Sequence, residues 1–148
     1  MIIRPAIFAT LLAVAGCAQQ PDSAVSDGMV RLPAVEGSPG AAYFTLHGGD
    51  EGRTLVTVES PDAGRAEMHD MTMTNGMMKM APLTQGVVIP KNGTVTFAPG
   101  GKHVMLFGMK AGLKPGDPIL LNFTFANGET AQLMAEAESP GGSDAHSH

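Results

Sequence analysis

The sequence predicts an all-β fold, a single antiparallel β-sandwich or barrel with Greek-key connections. Short apolar segments recur through residues 29–137, and turn-forming Gly, Pro, Asn and Asp residues separate them at close intervals. No segment has the length and the 3.6-residue period of a surface helix. With the two ends of the chain set aside, roughly 110 residues remain, which suits one sandwich domain.

Nine strands are expected. The first, residues 42–47, contains Tyr43 and Phe44, and the second, residues 53–58, alternates apolar and polar positions and ends before Pro61. The other seven are predicted at residues 65–71, 77–81, 87–89, 94–97, 103–107, 119–125 and 130–137. Typical turn sequences lie between strands, including Asn75-Gly76 and Asn127-Gly128, so neighbouring strands are expected to pair antiparallel.

The N-terminus has the features of an export signal. Arg4 precedes an apolar run over residues 6–15 that is too short to span a bilayer as a mature helix. Val14-Ala15-Gly16-Cys17 has the form of a bacterial lipobox, which predicts removal of residues 1–16 and lipidation of Cys17. An ordinary secretory signal is the alternative. We therefore expect the protein on the periplasmic side of a bacterial membrane, anchored by lipid through Cys17.

The segments that flank the domain are polar. Residues 17–28 predict a flexible tether, and residues 138–148, which include His146 and His148, predict a disordered tail. The domain is accordingly assigned to residues 29–137.

Composition excludes several functions. A net charge of −5 without basic clusters argues against a nucleic-acid partner. The only cysteine is Cys17 of the lipobox, so the mature domain has no internal disulfide and no thiolate. No serine or threonine lies in a nucleophile motif and no paired carboxylates are present, so we do not expect an enzyme.

A methionine-rich segment is the most unusual feature of the chain. Five of the eleven methionines lie between Met71 and Met80, among turn and surface residues. A two-residue turn at Asn75-Gly76 would pair Met71 with Met80 and place His69 diagonal to Met80 on the same face. A longer loop would shift that register by about two residues. Thioethers near solvent and near histidines indicate a soft-metal site, whereas a hairpin that merely packs is the alternative.

The same pairing of residue types occurs again at His103 and Met105. One residue separates them in a predicted strand, so their side chains point the same way. The turn Pro99-Gly100-Gly101 just before the strand places His103 at its beginning, near the rim of the sandwich. One strand histidine is more often structural than a ligand, but two His and two Met in such positions are more specific.

These residues resemble the PCu(A)C family of periplasmic copper chaperones. The similarity rests on a histidine, ten residues, a methionine, 22 residues and then His-x-Met, and on the segments 43–46, 76–80, 99–106, 113–117 and 121–125. It covers essentially residues 29–137. The resemblance implies a cupredoxin-like Greek-key β-sandwich that binds Cu(I) through His69, Met80, His103 and Met105. It also implies delivery of copper to cytochrome c oxidase, at its dinuclear copper centre, or to a thioredoxin-like assembly protein.

The ligand chemistry agrees with this implication. Two neutral imidazoles and two thioethers form an uncharged, soft set that favours Cu(I) over Cu(II) or zinc. An electron-carrying cupredoxin would need a cysteine thiolate in the domain, which is absent.

Further residues are candidates for auxiliary metal contacts. Met71 and Met78 could replace Met80 in a shifted register or shield the ion from water. His146 and His148 of the tail could take Cu(II), the alternative being a solvated terminus without a role. His47 stands at a strand end and is more simply a surface histidine.

Two other functions stay open on the sequence alone. A copper-sequestering or resistance lipoprotein would use the same site but deliver to no acceptor. An adhesion-type sandwich with a methionine-rich core would bind no metal.

Overall fold

The computed structural model describes residues 23–141, and these residues form ten β-strands. The strands are β1 (Val25–Arg31), β2 (Gly40–His47), β3 (Arg53–Glu59), β4 (Arg65–Thr74), β5 (Met77–Pro82), β6 (Val87–Ile89), β7 (Thr94–Phe97), β8 (His103–Phe107), β9 (Pro118–Phe125) and β10 (Thr130–Glu138). The described part of the chain has no helix, and hence none long and apolar enough to cross a membrane. The all-β prediction is confirmed. The bounds of β6, β7 and β8 agree with the prediction residue for residue, and the other six predicted strands differ by one to three residues at an end.

One strand was not predicted, and it corrects the expected tether. The first four residues of β1, 25–28, were assigned to the flexible segment 17–28, so the folded domain begins at Val25 and not at residue 29. The period-two pattern fails here because the pairing of β1 with β2 shifts between Ser26 and Met29, where Asp27 has a φ of 55°. Gly28 packs closely, since a Cβ there would lie 2.6 Å from Leu133 Cδ2. Residues 17–22 of the expected tether lie outside the described residues.

The strands form one continuous sheet in the order β5-β4-β8-β2-β1-β10-β9-β3-β6, and β7 pairs with the end of β2 that β8 leaves free. Every described pairing is antiparallel except that of β1 with β10, which is parallel. The sheet is therefore mixed, and the predicted antiparallel pairing holds at every described pair but this one. The parallel pair involves β1, the strand that the sequence pattern did not reveal.

Aromatic packing shows that the sheet curls onto itself. The ring of Phe44 on β2 lies 4.6 Å from that of Phe97 on β7 and 4.8 Å from that of Phe123 on β9, measured between ring centroids. In the sheet, β1 and β10 lie between β2 and β9, so this contact crosses the interior. The two halves of the sheet thus enclose one hydrophobic core, as in a sandwich.

The candidate site lies at one edge of this sheet, where β4 pairs with the edge strand β5 on one side and with β8 on the other. Val104 and Leu106 of β8 are fully buried, and Met68 of β4 packs against the core. Side chains alternate between the faces of a strand. The intervening residues His103, Met105 and His69 therefore project from the opposite face.

Replacing Phe123 with alanine tests the core. Phe123 is fully buried against Phe44, so Phe123→Ala should lower the free energy of unfolding by about 3–5 kcal/mol. Val88→Thr is the control, because Val88 is exposed and the change keeps the β-branch; it should alter stability by less than about 0.5 kcal/mol. Urea denaturation followed by circular dichroism measures both. Equal effects of the two substitutions would contradict this core.

Candidate metal centre

The hairpin of β4 and β5 has the predicted register. Met71 lies directly opposite Met80, and His69 lies opposite Pro82, so Met80 is diagonal to His69 on the same face. Asn75 and Gly76 both have positive φ, 51° and 75°, as a two-residue hairpin turn of the primed type requires. The prediction of a tight turn at this position is confirmed.

Strand β8 adds the other two candidate ligands. His69 lies directly opposite His103, and Glu67 lies opposite Met105. The two imidazole rings are stacked, with centroids 6.0 Å apart and planes inclined by 18°. His69 therefore has His103 directly beside it and Met80 and Met105 as diagonal neighbours. The structure brings all four predicted residues to one face of the three strands.

The side chain of His69 is oriented by Glu67. Its Nε2 lies 3.2 Å from Glu67 Oε2, so the ring donates the Nε2–H to the carboxylate. Its Nδ1 is buried and has no hydrogen-bond partner among the described residues. In the neutral ring this nitrogen carries a lone pair. A buried imidazole lone pair without a donor is the arrangement expected of a metal ligand.

Glu67 is itself fixed by its own strand. Arg65 Nε lies 3.2 Å from Glu67 Oε1, and the Arg65 guanidinium lies over the ring of Phe107, 4.4 Å from its centroid. Arg65, Glu67 and His69 alternate along one face of β4. Neither Arg65 nor Glu67 was among the residues predicted from the sequence. Their i, i+2, i+4 spacing before the histidine was the signal that could have found them.

His103 is oriented by the turn that precedes β8. Its Nδ1 lies 2.9 Å from the carbonyl oxygen of Gly101, which can only accept, so the ring donates the Nδ1–H and keeps the lone pair on Nε2. The same carbonyl accepts the backbone N–H of Met71 at 3.3 Å. Lys102 Nζ also contacts Asp70 Oδ2 at 3.0 Å. The turn is thus attached to β4, which fixes His103 beside His69.

The candidate ligands differ in their access to solvent. His69 is 9% exposed, whereas Met80 on the edge strand is 50% exposed, and His103 and Met105 are intermediate. In residues 23–141 no group of three or more His, Cys, Asp and Glu side chains is arranged to hold a metal ion. The candidate set is instead mixed, with two imidazole nitrogens and two thioether sulfurs. Its chemistry is that of a soft, uncharged site.

The other candidate residues are distributed as follows. Met71 lies opposite Met80, and Met78 lies opposite Met73 on the same face, so both auxiliary candidates are next to the site. His47 is at the far end of β2, opposite Thr94, and its Nε2 lies 2.8 Å from Ser26 Oγ. Cys17, His146 and His148 lie outside the described residues.

Three further methionines lie outside the candidate site. Met68 and Met109 pack against the core. Met134 on β10 is 60% exposed. Leu133, its neighbour, turns toward the core instead.

Comparisons with known proteins identify a matching family and a similar protein. Residues 23–137 match the family described as "Putative lipoprotein LpqE-like". The "Putative lipoprotein Lxx21020" of Leifsonia xyli subsp. xyli is 28% identical over 149 residues, covering 93% of this chain and 90% of that protein.

Two solved structures are also similar. The "Apo PCuAC domain from PmoF1" superposes with a TM-score of 0.63 at 25% identity, covering 78% of this chain and 92% of that one. The "Solution structure of CuI-DR1885 from Deinococcus Radiodurans" superposes with a TM-score of 0.56 at 31% identity, covering 84% of this chain and 82% of that one.

The fold and these structural neighbours define a β-sandwich domain of the PCuAC type, which confirms the resemblance seen in the sequence. Within that class, the match over residues 23–137 shows that the chain belongs to the LpqE-like family.

The two histidines are predicted to be opposite tautomers in the metal-free protein. His69 should carry its proton on Nε2, because Glu67 accepts it, and His103 should carry its proton on Nδ1, because the Gly101 carbonyl accepts it. Long-range ¹H–¹⁵N NMR correlation of the imidazole nitrogens distinguishes the two forms.

A Glu67→Leu variant provides the control for this experiment. It removes the acceptor of His69 and should change the His69 tautomer pattern while leaving that of His103 unchanged. Identical tautomers for the two rings in the unmodified protein would contradict the hydrogen bonds described here.

Proposed function

We propose that this protein is an extracytoplasmic copper chaperone whose cargo, a single Cu(I) ion, is bound by His69, Met80, His103 and Met105. One observation carries the proposal. His69 and His103 lie directly opposite each other, and hydrogen bonds fix each ring so that one nitrogen is left without a donor. Two methionines flank the pair on the same face.

The donor set favours the reduced ion. Neutral imidazoles and thioethers contribute no negative charge, and thioether sulfur is a soft ligand that suits Cu(I). Glu67 is the carboxylate on the same face of β4 as His69, but Arg65 and His69 already contact its two oxygens. Harder cations prefer carboxylate oxygen as a ligand, and the site therefore suits them poorly. The Cu(I) form of the similar Deinococcus protein supports the same oxidation state for this chain.

The exposure of the ligands suggests how the ion is released. Met80 lies on the edge strand β5, all of whose residues are exposed, whereas His69 is buried and hydrogen-bonded. A ligand of an acceptor protein can approach Met80 first and displace its thioether, while the imidazoles still hold the ion. Transfer by this ligand exchange needs no release of free copper and no change in oxidation state.

The location and the acceptor complete the proposal. The lipobox ending at Cys17, the lipoprotein name of the matched family and the lipoprotein name of the similar Leifsonia protein support a lipid-anchored protein on the periplasmic side of a bacterial membrane. The proposed acceptor is the dinuclear copper centre of cytochrome c oxidase or a thioredoxin-like protein that loads it. His146 and His148 are proposed as a separate Cu(II) position in the tail, because nitrogen donors without thioethers suit the oxidised ion.

An anaerobic Cu(I) titration of the soluble chain, begun at residue 18 and competed with a chelator of known affinity, tests the site. We expect one tight equivalent. Removing a ligand in His103→Ala or Met105→Ala should weaken it by at least roughly tenfold, or about 1.4 kcal/mol. Met134→Ala is the matched control, because this methionine is exposed on β10, far from β4 in the sheet order.

Binding that is equally strong in the His103→Ala and Met134→Ala variants would contradict the assigned ligands. The absence of any tight equivalent in the unmodified chain would favour the alternative of a hairpin that merely packs.

Transfer distinguishes a chaperone from a copper-sequestering lipoprotein. The Cu(I)-loaded chain is mixed with the metal-free soluble copper domain of cytochrome c oxidase. The rate of Cu(I) transfer to that domain should exceed the rate at which the chain loses Cu(I) to a chelator. Direct contact is required, so a dialysis membrane between the two proteins should abolish the faster rate. Equal rates with and without the membrane would favour sequestration.

A further inference from the structure

A second pair of methionines lies on the face that carries the candidate site. Met73 is directly opposite Met78, two residues nearer the hairpin turn than the pair Met71 and Met80. Two residues of strand span about 6.8 Å. The four methionines therefore form two consecutive cross-strand pairs, which lead from the hairpin turn to His69.

Burial does not account for the outer pair. Met73 is 66% exposed and Met78 is 49% exposed, and neither is among the residues packed against the core. An apolar side chain stabilises a fold only to the extent that its surface is removed from water. On the opposite face of the same two strands, the corresponding pair is Thr72 and Lys79, which is the composition expected of a solvent-exposed hairpin.

The outer pair has the chemistry of a soft-metal site. Side chains directly opposite on antiparallel strands have Cβ atoms about 5 Å apart, so two flexible methionines can bring their sulfurs to one ion. Thioether sulfur selects Cu(I) and similar soft monovalent cations such as Ag(I). We infer that Met73 and Met78, with Met71 as the adjacent thioether, form a second and weaker Cu(I)-binding position at the tip of the hairpin.

This position would serve as the entry and exit point of the site. It rests on the proposed function, since the inner site must bind Cu(I) for the outer one to supply it. A Cu(I) ion bound by Met73 and Met78 can form a bond to the sulfur of Met71 or Met80 as a bond to the outer pair breaks. Each step exchanges one thioether for another, without proton or electron transfer. The exposed tip can thus exchange copper with a partner while His69 stays buried.

Methionine-methyl NMR of the full mature chain, with the methionine methyl groups labelled with ¹³C and Ag(I) as the probe, tests this inference. The first equivalent of Ag(I) should shift the methyl signals of Met80 and Met105. A second equivalent, weaker by roughly tenfold or more, should shift those of Met73 and Met78. Met77 reports specificity, because it is also 66% exposed but lies opposite Thr74 on the other face of the hairpin. Its signal should not move.

Matched variants complete the experiment. In Met73→Leu combined with Met78→Leu the second equivalent should be lost and the first retained. Leucine preserves volume at these exposed positions, so the fold should be unaffected. Met77→Leu should keep both equivalents.

The outcomes separate this inference from the proposed function. Unmoved Met73 and Met78 signals at saturating Ag(I), with the first equivalent bound, would overturn the second position and leave the copper site standing. A second equivalent that persists in the double variant would also overturn it. Loss of the first equivalent alone in His103→Ala, with the Met73 and Met78 shifts retained, would support two separate positions. Failure of both equivalents to bind would overturn both proposals.

Discussion

The candidate site depends above all on the register of β4 between its two neighbours. Pairing with β8 sets His69 beside His103, and pairing with β5 sets Met80 diagonal to His69. A shift of one residue would turn His69 toward the core and bring Met68 to the site face. That shift is opposed by the packing of Ala66 and Met68, on the other face of β4, against the core. The hydrophobic core therefore specifies the geometry of the candidate ligands, which project from the other face of the strands.

Hydrogen bonds then determine which atoms are free to bind. Glu67 and the Gly101 carbonyl each occupy one nitrogen of a histidine, and they do so on different ring atoms. The Gly101 carbonyl also accepts the N–H of Met71, so the orientation of His103 is coupled to the position of β4. Such outer interactions fix the tautomer and orientation of histidine ligands in metal sites generally. Access to the candidate site is determined separately, by the exposed edge strand β5.

Much of the fold could be predicted from local sequence. The turn at Asn75-Gly76 determines the register of the hairpin, because two residues with positive φ leave little freedom in the pairing of the strands. β1 could not be predicted in the same way, since its bulge at residues 26–29 interrupts the alternation on which the prediction depends. Its parallel partner, β10, lies more than 100 residues away in sequence, and local patterns contain no information on such pairings.

The site was predictable in part. The four candidate ligands were found by residue type and spacing, and the structure places them on one face. The direct apposition of His69 and His103 was not foreseen, because it depends on the pairing of β4 with β8, which are separated in sequence by three other strands. The alternation of Arg65, Glu67 and His69 along β4 was visible in the sequence. Which of these side chains make contact, and that the Gly101 carbonyl accepts from His103, required the side-chain positions.

X-ray absorption spectroscopy of the chain loaded with one equivalent of Cu(I) tests the central claim most directly. The account predicts a Cu(I) edge and a first shell of two nitrogen and two sulfur scatterers, with one sulfur fewer in Met105→Ala. A first shell of nitrogen and oxygen alone, or a shell that is unchanged in that variant, would contradict the assignment of His69, Met80, His103 and Met105 as the copper site.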